Sequence, residues 1–281
     1  MKKFEIKNSD NKIIANVFYF LDYENKKYKN KKDFINSLAK NVPKISGIDY
    51  AGFANRIDLE SHLMKSVFGR EKFKLISKAD FDELAVKNTV TDVLKKCSSS
   101  LKSGVVYVFI FPSFSKFKKE KMNGVGGFCS WKNTILIDIN PTKGWQDALK
   151  RSVCHEFHHS VIAKKKNPQT WTLLESLVYE GMADNFAESI VGKTTPWVKV
   201  LSRKECVAIS KEINGLLNKS DDKTYQEVFL GKNKKYPFWA GYSIGYQIVK
   251  AYLKINSNLS WDKISKIEPK EILDKSLFGE V

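Results

Sequence analysis

The chain has 281 residues, of which 42% are hydrophobic and 28% charged, and 48 basic against 31 acidic residues give a formal net charge of +17. This composition excludes a disordered or fibrous chain and leaves room for one large domain or two lobes that share a core. The excess positive charge favours anionic partners in general, but the lysines are spread along the whole chain, so we expect no specific nucleic-acid partner.

Cysteine usage and hydropathy indicate the cellular compartment of the protein. The four cysteines, Cys97, Cys129, Cys154 and Cys206, contain no CxxC pair, which favours a reducing environment over a disulfide scaffold. Polar residues interrupt any apolar stretch at the N-terminus, and no segment approaches the ~18–20 apolar residues that span a bilayer. We therefore expect a cytoplasmic protein that has no membrane partner.

The first hundred residues combine one hairpin with helical segments. Residues 3–20 alternate apolar and polar positions around 8–11, which predicts a β-hairpin. From about 31 to 103 the apolar residues recur at helical spacing. Two stripes carry this pattern: Phe34, Leu38 and Val42 in the first, and Phe81, Leu84, Val90, Val93 and Leu94 in the second. We treat residues 1–100 as an N-terminal hairpin and helical region.

The rest of the chain begins with two strands and then becomes helical. Residues 105–111 are rich in β-formers and predict a core strand, and 134–138 predict a second one. We expect a basic loop at 115–124 and a polar loop at 218–235. Helices are predicted at about 144–165, 172–191, 203–217 and 238–254, with one or two short ones near the C-terminus. The fold class is therefore α+β, with a small mixed sheet packed on helices and a mainly helical C-terminal lobe.

One motif in the predicted helix 144–165 carries chemistry. Residues 155–159 read HEFHH, which matches H-E-x-x-H. His155 and His159 are four residues apart and project side by side from a helix, so both imidazoles can meet one Zn²⁺ at about 2.0–2.1 Å. Glu156 is next to His155 on the helix, so it can reach a water molecule bound to that ion without being a metal ligand itself. An apolar stripe places the motif in mid-helix: Trp145, Leu149, Val153, Phe157 and Val161.

The next helix supplies carboxylates for a third ligand. Glu175 fits a capping box with Thr172, which predicts a structural role for it at the helix N-terminus. Glu180 and Asp184 are four apart on one helical face, and Gly181 leaves room for a neighbouring helix. A catalytic zinc takes a third protein ligand, and a further carboxylate fixes the tautomer of a ligand histidine. We therefore predict Glu180 as the third ligand and Asp184 as the orienting group.

Cys154 and His158 form a second pair four residues apart on another face of the same helix. That pair could also bind a metal ion, but it has no equivalent carboxylate partner. We interpret it as a packed thiol beside a polar flank.

The combination resembles a known group of enzymes. HEFHH, the segment LLESLVYEGMADNFAE and the C-terminal WAGYSIGYQIV are similar to the gluzincin metallopeptidases, the thermolysin-like clan. More narrowly, they resemble the bacterial family of predicted zinc-dependent proteases catalogued as domain of unknown function 2268. The likeness covers about residues 100–255. It implies that residues 101–281 form a zinc metallopeptidase domain with one Zn²⁺ per chain.

The resemblance also implies a mechanism for a peptide or protein substrate. Glu156 would act as general base towards a zinc-activated water and then deliver the proton to the leaving amine. Gluzincins often use a tyrosine or histidine as oxyanion donor, and the only histidine outside the motif, His62, lies far upstream. We therefore prefer Tyr242 as donor, with Tyr246 as the alternative, since both lie on one face of the predicted C-terminal helix.

Peptidases of this clan bind an extended substrate along an edge strand beside the active-site helix. We predict that strand at 134–138, with glycine-rich backbone just upstream. The predicted substrate contacts are Gly127, Phe128, Ile135 and Leu136.

Two other functions remain open. One is a catalytically idle, zinc-stabilised binding module with a basic surface; the presence of Glu156 argues against it, because a structural site needs no general base and prefers a fourth protein ligand. The other is a basic nucleic-acid binder with an incidental HExxH, which predicts steeply salt-dependent binding and no metal. Endo- and exopeptidase activities are both compatible with the sequence.

Overall fold

The protein is described by a computed structural model that covers residues 1–20, 28–72, 82–276 and 278. The chain forms two compact units, one of Met1–Ser99 with Ser103–Val161 and one of Ser100–Lys102 with Ile162–Val281. The fold is α+β, as predicted, with one mixed sheet and a helical C-terminal part. The units do not divide at the boundary near residue 100 that the sequence indicated.

A five-stranded sheet organises the first unit. Its strand order is β1-β2-β3-β5-β4, with antiparallel pairs at both ends and parallel pairs between β2, β3 and β5. The predicted hairpin and both predicted strands are confirmed. The strands are β1 (Lys2–Lys7), β2 (Ile13–Tyr19), β3 (Val106–Pro112), β4 (Val125–Trp131) and β5 (Thr134–Ile139).

The strand β4 was not expected from the sequence. Its glycines, Gly126 and Gly127, disfavour a strand by intrinsic propensity. Pairing with β5 overrides that propensity, and Asn133 adopts a positive φ of 60° in the tight turn that joins the two strands.

The strands β3 and β5 are apolar and buried along nearly their whole length, as expected of strands that are covered on both faces. The first stripe is confirmed for Phe34 and Leu38. In the second, Leu84 is exposed, contrary to the prediction, and Phe81 lies outside the described residues. The helices of this unit are α1 (Lys31–Lys40), α2 (Arg56–Leu63), α3 (Glu83–Ser100), α4 (Lys116–Lys121) and α5 (Trp145–Ile162).

The short helix α4 replaces the basic loop expected at 115–124. The backbone N–H of Lys118 donates to the side chain of Ser115, which caps this helix. A single capped turn gives too little apolar periodicity for the sequence pattern to predict it.

The second unit is helical among its described residues. The predicted capping box of Thr172 and Glu175 is confirmed at the start of α6. One helix, α8, lies in the segment expected to be a polar loop, where Asp221 caps its N-terminus and Gly231 ends it in the left-handed region. The helices are α6 (Leu173–Val191), α7 (Arg203–Glu212), α8 (Asp222–Leu230), α9 (Ala240–Ile255), α10 (Trp261–Ile264) and α11 (Pro269–Lys275).

Two glycines let α6 and α9 cross in close contact. A Cβ atom added at Gly181 would lie 2.1 Å from the carbonyl oxygen of Gly245, and one added at Gly245 would lie 2.0 Å from that of Leu177. Asn185 secures the crossing, since its Nδ2 donates to the carbonyl oxygens of Gly181 and Tyr246. Although both helices are apolar, none of the described helices combines the length and hydropathy needed to cross a bilayer.

Candidate metal centre

The two motif histidines converge on α5. Their Nε2 atoms lie 3.0 Å apart, and both side chains are buried, with 5% of His155 and 6% of His159 exposed. Two nitrogens at 2.0–2.1 Å from one tetrahedral ion would be roughly 3.3 Å apart. The predicted side-by-side projection is therefore confirmed, at a spacing that suits a shared ion.

The motif lies in the buried part of this helix. The predicted apolar stripe is buried at Leu149, Val153, Phe157 and Val161, while Trp145 at the helix N-terminus is half-buried. The stripe lies on one side of α5, and the two histidines, four residues apart, share another side of the same helix.

Glu156 lies directly against β4. A Cβ atom added at Gly127 would be 2.5 Å from Cγ and 2.7 Å from Oε1 of Glu156, so only glycine allows this approach. The Glu156 side chain itself is buried. The close contact therefore places the carboxylate beside the backbone of the strand.

Glu180 completes a group of three potential ligands. One ligand atom each from His155, His159 and Glu180 all lie within 4.8 Å of one another, and within the described part of the chain this is the only such group of three or more. Two imidazoles and one carboxylate, with no fourth protein ligand in the group, form the donor set of a catalytic zinc site. The residues present therefore fit zinc.

Asp184 is fixed by hydrogen bonds within its own unit. Its Oδ1 accepts from the hydroxyl of Thr195, and both of its carboxylate oxygens accept from Nε1 of Trp197, at 3.1 and 3.0 Å. Ser243 of α9 then donates to the carbonyl oxygen of Trp197. Sequence reasoning missed Thr195 and Trp197, because no local pattern links them to Asp184.

The two candidate tyrosines of α9 have different surroundings. The Tyr242 hydroxyl lies 3.5 Å from that of Tyr225, and burial, Tyr225 and the charge of Glu180 raise the pKa of Tyr242 well above its usual range. The Tyr246 hydroxyl donates instead to Glu188 at 2.8 Å. Tyr225 belongs to α8, within the segment expected to be a loop, so no sequence pattern pointed to it.

The expectation that 134–138 is an edge strand is wrong. β5 pairs with β3 on one side and with β4 on the other, and its residues Ile135 and Leu136 are buried. Among the described strands, β4 is the edge next to the motif helix. The other two predicted substrate contacts, Gly127 and Phe128, lie on β4, and Phe128 is exposed.

The pair Cys154 and His158 packs into the first unit. Cys154 is fully buried, and its Sγ lies 3.4 Å from Sγ of Cys97 on α3. Burial raises the pKa of Cys97 well above its usual range. Cys154 is the packed thiol that the sequence indicated, but His158 is buried rather than a polar flank.

Comparison with known proteins yields one match. Residues 86–274, more than half of the chain, match the family described as predicted Zn-dependent protease (DUF2268). Neither the curated proteins nor the solved structures include a match to this chain. The matched segment contains α5, α6 and α9, on which the candidate ligands and tyrosines lie. This chain belongs to the DUF2268 family of predicted zinc-dependent proteases.

Proposed function

We propose that this protein is a zinc-dependent metallopeptidase that holds one Zn²⁺ per chain through His155, His159 and Glu180. The observation that carries the proposal is the convergence of those three ligand atoms within 4.8 Å. The neighbouring Glu156 lies against the strand β4. A carboxylate that follows a candidate ligand directly in the chain and lies against an edge strand suits a general base.

Hydrolysis divides among a few side chains. When bound, the ion supplies Lewis acidity that acidifies a water molecule and polarises the scissile carbonyl. Glu156 accepts the proton of the attacking water at its carboxylate and delivers it to the leaving amine as the C–N bond breaks. Asp184, held by Thr195 and Trp197, is the group we assign to orienting a ligand histidine.

Tyr242 is the oxyanion donor that the contacts favour. Burial raises the pKa of its hydroxyl, so the group keeps its proton and can donate it in a hydrogen bond. The charge of Glu180 also raises this pKa. Tyr246 is the weaker candidate because its hydroxyl already donates to Glu188.

The edge of β4 is the surface we assign to the substrate backbone. An extended peptide added to an exposed strand gains main-chain hydrogen bonds, and here it would run past the carboxylate of Glu156. The assignment replaces β5 by β4 and keeps Gly127 and Phe128 as substrate contacts.

Metal content tests the ligand set. We expect about one zinc per chain in the purified protein and its loss in Glu180→Ala. Glu188→Ala is the matched control, since Glu188 lies two turns further along α6, and it should keep its zinc. A protein that takes up no zinc, or a Glu180→Ala variant that binds zinc as tightly as the parent, would overturn the ligand assignment.

Glu156→Gln separates an enzyme from a zinc-stabilised binding module. A peptidase keeps its zinc in this variant but loses hydrolysis of a peptide mixture by about 10²–10⁴-fold. If the parent protein holds zinc yet cleaves no peptide, and Glu156→Gln leaves partner binding unchanged, the module with a basic surface is the correct reading.

A further inference from the structure

Three rings form an aromatic surface beside the strand edge, with one ring exposed (Phe128) and two half-buried (Phe53 and His62). Phe128 of β4, 42% exposed, lies with its ring centroid 4.6 Å from that of His62 on α2 and 6.0 Å from that of Phe53. The centroids of Phe53 and His62 are 5.1 Å apart. We call these three residues the aromatic cluster.

Strand alternation places the aromatic cluster on the opposite face of the sheet from Glu156. A Cβ at Gly127 would meet Glu156, whereas one at Gly126 would meet the side chains of Lys118 and Asp138. Successive residues of a strand point to opposite faces, so Phe128 shares the face of Gly126. One strand edge thus carries the proposed general base on one face and an aromatic surface on the other.

The segment that contributes Phe53 is fastened to β4. The hydroxyl of Ser130 donates to the carbonyl oxygen of Ala51. Gly52 has a φ of +87°, and a Cβ there would lie 2.7 Å from Oγ of Ser130, so glycine is required for this approach. The hydrogen bond and the close approach therefore hold the segment of Phe53 against β4.

The aromatic cluster carries no net charge at neutral pH. Burial, together with Lys118 and Lys65, lowers the pKa of His62 from 6.5 to about 4, so its ring is neutral. Lys118 is paired with Asp138 beneath Gly126. The surface therefore suits an apolar side chain better than an acidic one.

We propose that the aromatic cluster is a specificity subsite for a large apolar, preferably aromatic, side chain of the peptide substrate. The inference rests on the proposed peptidase function and on continuity between the aromatic cluster and the edge of β4. Phe53 and His62 precede residues 86–274, so two of the three rings lie outside the segment that matches the family. The N-terminal region would thus contribute substrate selectivity of this chain's own.

Because side chains alternate along an extended peptide, the preference for an aromatic residue should apply to one position of the substrate. In a peptide added along β4, every second side chain points to the face of Phe128, and those between point to the face of Glu156. We therefore expect aromatic residues to be enriched at one fixed position relative to the cleaved bond, and not at the two positions on either side of that position.

Cleavage-site profiling tests the proposal. The zinc-loaded full-length protein is incubated with a proteome-derived peptide mixture, and the cleaved bonds are identified by mass spectrometry. Phe128→Ala and His62→Ala should each reduce the aromatic enrichment at that position, with a loss on the order of tenfold in kcat/KM for peptides that carry an aromatic residue there. Ile57→Ala, at an exposed apolar residue of the same helix as His62, is the matched control and should leave the profile unchanged.

A second readout does not depend on turnover. An aromatic peptide chosen from the profile should bind zinc-loaded Glu156→Gln about tenfold more tightly than it binds the double variant Glu156→Gln, Phe128→Ala. Thermal unfolding of each variant checks that the fold is kept.

The outcomes separate the two proposals. Cleavage with a flat profile, or an enrichment that Phe128→Ala and His62→Ala leave intact, overturns the subsite and keeps the peptidase. A Phe128→Ala variant that changes the oligomeric state but not the profile makes the aromatic cluster a contact between copies of the chain, which also overturns the subsite. A zinc-loaded protein that cleaves no peptide removes the peptidase and the subsite together.

Discussion

The helices α5 and α9 each carry two residues at the same spacing, and they use them differently. On α5 the Nε2 atoms of His155 and His159 end 3.0 Å apart. On α9 the hydroxyls of Tyr242 and Tyr246 diverge, one to Tyr225 and the other to Glu188 at 2.8 Å.

The difference follows from the reach of the side chains. An imidazole nitrogen lies close to its helix, so the i, i+4 spacing alone brings two of them to one point. A tyrosine hydroxyl lies far from its backbone, and the neighbouring helices decide what it meets: α8 provides Tyr225, and α6 provides Glu188. Residue spacing therefore predicts a pair of candidate metal ligands better than it predicts an oxyanion donor.

The largest expected effect is on zinc binding, where the two histidines of α5 should be equally necessary. His155→Ala and His159→Ala should each abolish zinc binding and lower peptidase activity by on the order of 10³-fold or more, because each removes one of the three proposed ligands. Zinc content and turnover of the purified variants provide the measurement. His62→Phe is the control, since it removes a histidine outside the motif and should keep its zinc. Zinc retained by His155→Ala or His159→Ala would contradict the assignment of that histidine as a ligand.

The second effect concerns inequivalence within the α9 pair. Tyr242→Phe should lower kcat by about 10²-fold with zinc retained, since loss of one oxyanion donor costs that order. Tyr246→Phe should change kcat by less than about threefold and instead lose about 1 kcal/mol of stability, because its hydroxyl bonds to Glu188. The measurements are steady-state kinetics and denaturant unfolding, and the reverse ranking would assign the donor to Tyr246.

The third effect tests the crossing that positions α9. Gly245→Ala should destabilise the protein by about 3 kcal/mol in denaturant unfolding, since the new Cβ would lie 2.0 Å from the carbonyl oxygen of Leu177. Gly215→Ala is a matched control because nothing lies within 4 Å of a Cβ added there. Equal stability of the two variants would show that α6 and α9 can separate without cost.

The smallest effect contrasts His62 with the α5 pair. Its pKa of about 4 in the fold lies below the usual 6.5, so the unfolded chain binds the proton more readily. This contribution to stability is present above pH 6.5 and is lost as the pH falls towards 4. The wild type should therefore lose about 2–3 kcal/mol more than His62→Phe between these pH values, measured in metal-free protein. Parallel stability curves would show that His62 titrates normally.

Much of the fold could be predicted from local patterns. The hairpin, the strands β3 and β5, and the long helices follow from periodicity and β-propensity, and each is present. The pattern failed for short elements and for glycine-rich ones. The helices α4 and α8 depend on the caps Ser115 and Asp221, and β4 depends on pairing with β5.

The candidate site shows the same division. The motif, its burial in mid-helix and the close crossing at Gly181 could be predicted, because helical spacing fixes which residues share a face. The edge strand was misplaced, because the position of a strand within a sheet depends on partners that are distant in sequence. The partners of Asp184 were missed for that reason as well.

The sequence by itself determined that His155 and His159 meet and that Glu156 is beside them, since residues four apart need only one helix to converge and Glu156 needs only its neighbouring position. The tertiary structure alone decided which strand forms the edge, what each tyrosine contacts, and that Phe53 and His62 stand beside Phe128. The physical reason is range. Helical periodicity acts over four residues, whereas sheet order and ring packing join segments that are tens of residues apart.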